Sequence, residues 1–523
     1  MRLHYTGRGL RVSMAAPAIG RRRTASCVRT AVFLFLVTFV WLQLHVASLG
    51  SARHAAPDAA AAAADANDST AAILSMVPQV LHKFLTPKPR RNATVAAGAA
   101  AAAAGTAANG SAGAAAAGLP VPRPNISDIR RSIERYNEMQ TIHNEEVFGP
   151  VQNDTLIIVV QVHTRIIYLR HLIVSLAQAR DIDTVLLIFS HDYYDEEINE
   201  LVQSIDFCKV MQIFYPFSIQ THPKEFPGES PGDCPRNIKK EQAKEMMCNN
   251  ALYPDLYGHY REAKFTQTKH HWWWKANRVF NQLDVTRNHT GMVLFLEEDH
   301  FVAEDFIHVM HLMERTCKVS CDRCNILSLG TYLKTYNYYG DSKKKEALRA
   351  MKRHPSFSAG SIPPSWGFQI LPSLYQHYQK AEVTPWVSSK HNMGMAFNRT
   401  TWNDIRRCAE FFCIYDDYNW DWSLQHISQG CMAHKLYAMV MKGPRVFHIG
   451  ECGVHHKKAN CESTAVISKV QHVLKFAAKH LYPTHLTLTV TNGNKKQKLR
   501  KGNGGWGDIR DHQLCINMTK IGR

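Results

Sequence analysis

The sequence predicts a doubly wound α/β domain held behind a membrane anchor and a long alanine-rich stem. Two patterns predict the fold. Strand and helix patterns alternate strictly between residues 155 and 217, and the apolar strand runs end abruptly in polar or acidic residues. A third observation predicts the anchor: residues 30–49, TAVFLFLVTFVWLQLHVASL, carry no Asp, Glu, Lys or Arg, and about 20 such residues span the hydrocarbon of a bilayer.

The elements follow in chain order. Residues 1–29 form a tail with seven arginines (Arg2, Arg8, Arg11, Arg21, Arg22, Arg23 and Arg29) and no acid, which places that end in the cytoplasm and the remainder in the secretory lumen. A cleaved signal peptide is the alternative, but the apolar run is longer than such a core and its flank is long and basic. The formal net charge of +18 is therefore read as membrane-related in part. No helix-turn-helix, zinc-finger or RRM pattern supports nucleic acid as a partner. Residues 50–127 are low-complexity Ala with Gly, Ser and Asn, read as a disordered stem without a core; only AAILSMVPQVLHKFL (71–85) suggests a transient helix, broken at Pro78.

A single lumenal domain is expected over 128–523, with 341–383 as an inserted loop rich in Lys, Pro, Ser and aromatics. Its strands are read at 155–163, 183–192, 209–217, 291–296, 325–333, 392–397 and 445–450. Helices are read at 129–136, 165–179 and 198–205. Twelve of the 13 cysteines lie between Cys208 and Cys515, and eight Asn-X-Ser/Thr sequons add to the lumenal reading. Disulfides are favoured, with zinc left open at Cys321/Cys324 and at the Cys452/His455/His456/Cys461 cluster.

Ligands in such sheets bind where strands end. Three constellations carry chemistry. Glu297–Glu298–Asp299 follows MVLFL directly. Three acids at a strand end repel one another unless a cation is present, so they form a candidate divalent-metal platform with a distant His. Tyr415–Trp422, YDDYNWDW, alternates aromatics with acids. Carboxylates accept hydroxyl hydrogen bonds, aromatic faces stack on sugars, and one carboxylate can act as a base. In Gln267–Lys275, QTKHHWWWK, a tryptophan run packs inward while Lys269, His270 and His271 are placed to meet phosphates.

FSHD, GHYREAKF, QTKHHWWWK, FLEEDH, YDDYNWDW, CGVHHKK and GGWGDIRDH, in that order, resemble the N-acetylglucosaminyltransferase II family over about residues 155–523. The resemblance implies a GT-A glycosyltransferase fold, in which a Rossmann-like nucleotide-sugar half merges with an acceptor half, in a single-pass type II protein of the Golgi membrane. It implies inverting transfer of GlcNAc from UDP-GlcNAc, with Mn²⁺ as cofactor, in β1,2 linkage to the α1,6-arm mannose of N-glycans on glycoproteins. Carried over by position, Asp299 and His448 would hold the metal and Asp421 would be the catalytic base. Gln161, Val162, His163, Thr164, Arg165, Asp192, Gln267, Thr268, Lys269, His270 and His271 would line the donor pocket. Tyr418, Trp420 and Asn392 would meet the acceptor. Where the family has a donor-contacting Arg, this chain has Tyr336, with Lys334 nearby. The implied disulfides are Cys208–Cys234, Cys321–Cys324, Cys408–Cys431, Cys413–Cys515 and Cys452–Cys461. A related β-1,2-GlcNAc transferase, such as N-acetylglucosaminyltransferase I, a catalytically silent glycan binder and a glycosidase with paired carboxylates are the competing readings.

Overall fold

The computed structural model describes residues 74–86, 125–331, 376–450, 463–491 and 501–520. The expected anchor at 30–49, Lys334, Tyr336 and the expected Cys452–Cys461 pairing lie outside them. No helix among the described residues is long and apolar enough to cross a membrane.

In chain order the elements are α1 (His82–Leu85), α2 (Ile126–Met139), β1 (Ile142–His143), α3 (Glu145–Phe148), β2 (Ile157–Val162), α4 (Ile166–Ala177), β3 (Leu186–His191), α5 (Glu196–Gln203) and β4 (Lys209–Phe214). Then come α6 (Lys240–Glu245), α7 (Ala263–Asn277), β5 (Val293–Glu297), β6 (His300–Val302), α8 (Phe306–Ser320), β7 (Ile326–Ser328), β8 (Lys380–Pro385), α9 (Ser388–His391) and β9 (Met395–Phe397). The chain continues through α10 (Arg399–Arg407), α11 (Ala409–Ile414), α12 (Trp420–Gly430), β10 (Tyr437–Met441), β11 (Val446–His448), α13 (Ser463–Ala477), β12 (Thr487–Val490) and α14 (Ile509–Lys520).

Ten described strands form one sheet in the order β1-β4-β3-β2-β5-β9-β7-β10-β8-β12. Strands β4, β3, β2 and β5 are parallel, as the alternating pattern requires. Strand β9 then runs antiparallel between β5 and β7. The sheet is covered on both sides, which is why its central strands read as unbroken apolar runs rather than alternating ones. Ile158, Val160 and Val162 of β2 pack with α4, α5 and α8 on one face, while Ile157 and Val159 pack with Trp272, Trp273 and Phe412 on the other. At the start of α5 the Asp195 carboxylate accepts from the Ile198 amide at 3.0 Å, an N-cap that fixes where that helix begins.

The structure corrects three expectations. Residues 74–86 are not coreless stem: Val77 and Phe84 are buried in the main core, with Phe84 fully inaccessible. The end of the expected 341–383 insertion is built into the sheet, because β8 pairs with β10 from Ala381 to Pro385 and with β12 from Lys380 to Val383. Cys208 does not meet Cys234. Cys208 is buried in the main core at the foot of β4, whereas Cys234 packs with Ala243, Ala251 and Tyr260 in a separate small cluster and bonds to Cys248.

The other described pairings match the expectation: Cys321–Cys324, Cys408–Cys431 and Cys413–Cys515. Cys321 and Cys324 are thereby a disulfide, not zinc ligands. Cys413–Cys515 spans 102 residues and ties α11 to α14; a loop of that size is worth about 4–5 kcal/mol in the chain-entropy view. Non-reducing peptide mapping is expected to return a crosslinked Cys234–Cys248 peptide, with Cys208 alkylated only after denaturation. A Cys208–Cys234 peptide would overturn the assignment.

Candidate active site

The acidic strand end is a network in which each acid has a different task. Glu298 is buried and turned toward the end of β2: its carboxylate accepts from the His163 amide at 2.8 Å and from Arg165 Nε at 2.7 Å. Arg165 Nη1 reaches on to Asp299 Oδ2 at 2.8 Å. His448 Nε2 lies 3.2 Å from the same oxygen. The two-stranded ladder of β6 and β11 creates that contact: it pairs His448 with His300, and the Ile449 amide donates to the Asp299 carbonyl at 2.9 Å. Gly450 follows because a Cβ there would stand 2.2 Å from Asp299 Oδ2.

Asp299 Oδ1 is buried with no hydrogen-bond partner. An orphaned carboxylate oxygen in the interior is costly, and ligation of a cation would satisfy it. Glu297, Asp299 and His300 offer ligand atoms within 4.8 Å of one another. Burial, then Asp299, raise the Glu297 pKa, while Lys275 opposes the shift. For Asp299, burial acts upward, but His448 and Arg165 outweigh it and hold the carboxyl well below its ordinary range. For His448, burial acts downward, but Asp299 outweighs it and the pKa is raised. The cluster that fits a divalent cation is Glu297, Asp299 and His300, with His448 paired to Asp299 beside it.

The donor-side residues separate by helix face. On α7, Gln267, His271 and Lys275 recur every four residues and share one face. The Gln267 carbonyl oxygen accepts from the Ile219 amide at 2.7 Å. His271 bonds to Ser190 Oγ at 2.8 Å and lies 3.4 Å from Asp192. The other Asp192 oxygen meets His163 Nδ1 at 2.6 Å. Burial acts upward on Asp192, but these two imidazoles keep it ionised.

Lys269 and His270 point elsewhere, which corrects their assignment to the donor pocket. Lys269 Nζ donates to the carbonyls of Tyr415 and Asp417, both at 3.0 Å, and sits 4.2 Å from the Trp506 ring. His270 pairs with Asp511 at 2.9 Å. For Lys269 the reason is helical phase, since two residues' displacement from Gln267 rotates a side chain about 200° around the axis; His270, one residue before His271, is turned about 100° from it and is held by Asp511. Val162 is buried and offers the cleft only its backbone, whereas His163 and Thr164 are exposed and Thr268 is half-buried.

Lys275 was not singled out by the sequence reading. Its ammonium is buried and donates to Gln161 Oε1 at 2.5 Å. Burial lowers the Lys275 pKa to about 7 against the pull of Glu297 and Asp192; in its charged form the ammonium has no acceptor, so the Gln161 amide turns its oxygen to Lys275 and its NH₂ away. Gln161 thus becomes a hydrogen-bond donor at the end of β2. The i+4 relation of Lys275 to His271 was the available signal, and His300, directly after Glu297–Asp299, was another missed residue with a signal in the sequence. Lys275→Met should free that amide and raise donor KM about tenfold, the scale of one lost hydrogen bond to a charged group. Gln161→Glu should raise it similarly, and the double variant should cost little more than either single change. Additive effects would show that the two residues act separately.

Opposite lies the segment before α12. Asp416 accepts from the amides of Leu256 at 2.6 Å and Trp506 at 3.0 Å. Asp417 accepts from Asn419 and Asn503. Both acids are committed to holding loops. Trp420 is buried and stacked on Trp272 at 4.6 Å with an interplanar angle of 1°. Its expected role as a sugar platform is therefore corrected to core packing: the helix phase that turns Asp421 toward the acids turns Trp420 inward. Tyr418 is half-buried against Phe265 at 5.1 Å.

Asp421 accepts from the Trp422 amide at 2.9 Å and from Asn392 Nδ2 at 3.3 Å, while Asn392 Oδ1 has no partner. Burial first, then Asp417 and Glu297, push its pKa from 3.8 to about 7. Such a carboxylate is tuned for proton abstraction near neutrality. As a base it works ionised, so kcat/KM should fall about tenfold per unit below pH 7. The raised pKa also means that the folded chain binds the extra proton. The stability that Asp421 confers is present below about pH 4 and lost as pH rises through 7. Asp421→Asn should therefore lower kcat by about 10²–10⁴ while raising Tm at pH 8 and not at pH 4. A lower Tm with intact turnover would make Asp421 a structural cap.

The sequence of the chain is similar to those of known proteins. A family model described as N-acetylglucosaminyltransferase II (MGAT2) matches residues 130–356 and 369–515, so its gap falls inside the expected insertion. The alpha-1,6-mannosyl-glycoprotein 2-beta-N-acetylglucosaminyltransferase of Rattus norvegicus is 40% identical over 405 residues, covering 77% of this chain and 83% of its own. The Homo sapiens protein of that name is 39% identical over 405 residues, covering 77% and 82%. The Arabidopsis thaliana one is 31% identical over 420 residues, covering 77% and 83%. On the extent of that match, the chain belongs to the N-acetylglucosaminyltransferase II family.

Proposed function

We propose that this chain is an inverting glycosyltransferase that moves GlcNAc from UDP-GlcNAc, in β1,2 linkage, to the α1,6-arm mannose of N-glycans. The observation that carries the chemistry is the single base: Asp421 is raised toward neutrality at the mouth of the acidic strand end, while Asp416 and Asp417 are committed to backbone amides. Inversion needs one carboxylate to accept the proton of the attacking hydroxyl. A glycosidase needs two flanking the scissile bond, and Asp416 and Asp417, committed to loop amides, do not supply the second.

The roles divide by atom. Asn392 Nδ2 orients the Asp421 carboxylate, and its unpartnered Oδ1 is an acceptor for a sugar hydroxyl. Asp421 takes the proton of the mannose 2-hydroxyl as that oxygen attacks from the side opposite the leaving group. Arg165, fixed by Glu298, carries positive charge at the end of β2, where a diphosphate would gather. Gln161 presents an NH₂ beside it. Asp299 and His448 would hold the metal, and a bound divalent cation neutralises charge on the departing diphosphate. A mixed carboxylate and imidazole set favours Mn²⁺ over Mg²⁺. The charge-free run at 30–49 and the basic tail support a type II anchor in the Golgi membrane, with the catalytic domain in the lumen.

The deciding assay combines UDP-GlcNAc with an N-glycan whose α1,6-arm mannose is free, and reads the new linkage by NMR. A β1,2 product on that arm is expected. Glycan binding without UDP release would leave only a lectin, and sugar release from a glycoside would indicate a hydrolase. Asp299→Asn should abolish transfer and weaken Mn²⁺ binding in calorimetry without lowering Tm by more than a few degrees, because the neutral amide keeps the side chain's shape. Full activity in excess EDTA would remove the metal from the scheme.

A further inference from the structure

The family match begins at residue 130 and leaves the described segment 74–86 without a role. Three observations show that the rest of the domain is shaped to receive it. Phe84 is fully buried among the residues that pack on α4 and α5, and meets Phe207 edge-on at 5.9 Å. Arg170 of α4 is buried, and its Nη1 donates to the Phe84 carbonyl at 2.9 Å while Nη2 pairs with Glu197 of α5 at 2.9 Å. A buried guanidinium that lost this acceptor would be left with an unsatisfied donor. Finally, Ser75 and Met76 close one wall of a cavity of about 290 Å³ whose other walls include Phe301 and Val302 of β6 and Leu474 of α13. Strand β6 is the one that begins at His300 and pairs with the His448 strand.

The segment is also internally organised to dock. His82 Nε2 bonds to the carbonyls of Leu74 at 3.1 Å and Val77 at 2.9 Å, folding the chain back on itself at Pro78. Val77 and Phe84 point into the core, while Val80 between them is 75% exposed. Residues 87–124, which join this piece to α2, are dominated by Ala and Gly and contain no large apolar cluster.

We propose that residues 74–86 are a cis-acting clasp, an intramolecular partner for the groove on α4 and α5, so that the catalytic unit begins before residue 74 rather than near 125. The clasp ties the tether's end of the domain to the strand that carries the metal-side residues. A chain cut anywhere between 87 and 124 keeps every residue of the cleft but loses a core side chain, the acceptor for Arg170 and one wall behind β6.

The test uses the full chain in detergent with a protease site inserted among residues 98–118. The cut catalytic piece, separated from its N-terminal fragment, is expected to melt roughly 5–10 °C below the uncut protein, the scale of losing a buried aromatic from a domain of this size. Amide exchange at Phe301 and Val302 should quicken. A synthetic peptide of residues 72–88 should restore the melting temperature, and the same peptide with Phe84→Ala should not. In the uncut chain Phe84→Ala should reproduce the loss, Phe84→Leu should give a smaller one, and Val80→Ala should give none. Equal melting of cut and uncut chains, or no effect of Phe84→Ala, would overturn the proposal. Rescue of the cut piece by a second, uncut chain would show that the groove accepts a clasp in trans.

Discussion

The burial of carboxylates around one cleft is the constraint on which the rest of the site depends. Glu297, Glu298, Asp299, Asp192 and Asp421 come together from three parts of the chain, and ionised groups withdrawn from water must be compensated or must take up protons. Each is answered differently. Arg165 bridges Glu298 and Asp299, two imidazoles flank Asp192, and Lys275 lies near Glu297. Asp421 receives two weak donors and no cation, and its pKa rises accordingly. The acid left least compensated is the one proposed above as the base, a role that requires a proton to be taken up near pH 7.

Helix α7 shows how one segment serves two purposes. Its tryptophans build the layer beneath the sheet, with Trp273 meeting Phe412 at 4.2 Å and Trp272 meeting Trp420 at 4.6 Å. The polar residues between them then divide by phase. Gln267, His271 and Lys275 face the strand ends, while Lys269 and His270 face Asp417, Trp506 and Asp511. Lys269 spans two carbonyls of the YDDYNWDW segment, so the same helix positions both the donor-side network and the segment bearing Asp421. Burial lowers the Lys269 pKa to about 7 despite three nearby acids, consistent with a structural post rather than a phosphate ligand in water.

The parallel half of the fold was legible because its strands are buried on both faces and therefore spell themselves as uninterrupted β-branched runs. The acidic platform was legible for the complementary reason, since acids do not follow such a run without a cause. What sequence could not place depended on long-range partners. Strands β6 and β12 are short, and β8 begins inside the stretch read as insertion; all three are defined by pairing rather than by composition. Trp420 looked like a sugar platform because its stacking partner lies 148 residues away in sequence. The Cys208–Cys234 pairing, carried over from the family resemblance, failed because the two residues sit in different packing clusters. Phe84 was legible only as part of a short helix, since Val77, Leu81 and Phe84 recur at helical spacing; the groove that buries it comes from distant segments that the alanine-rich flanks do not announce.

The join between the two halves explains why the metal-side residues come from distant segments. Strand β9 inserts antiparallel between β5 and β7 and ends the parallel run immediately beside the acidic strand. Beyond that join the chain returns in β11, whose ladder with β6 sets His448 opposite His300 and delivers the Ile449 amide to Asp299. The buried Arg445–Asp305 pair locks this return. Arg445 Nε reaches Asp305 at 2.9 Å, and its amide donates to Leu329 just past β7. A His supplied from the second half can meet an Asp supplied from the first only if both strands of this small ladder are held in register. The sheet supplies the Asp, the ion pair fixes the returning strand, and Gly450 leaves room for the Asp299 carboxylate where they meet. Affinity for the proposed metal should therefore be sensitive to residues such as Arg445 and Asp305 that lie away from it, because they set the separation of Asp299 and His448.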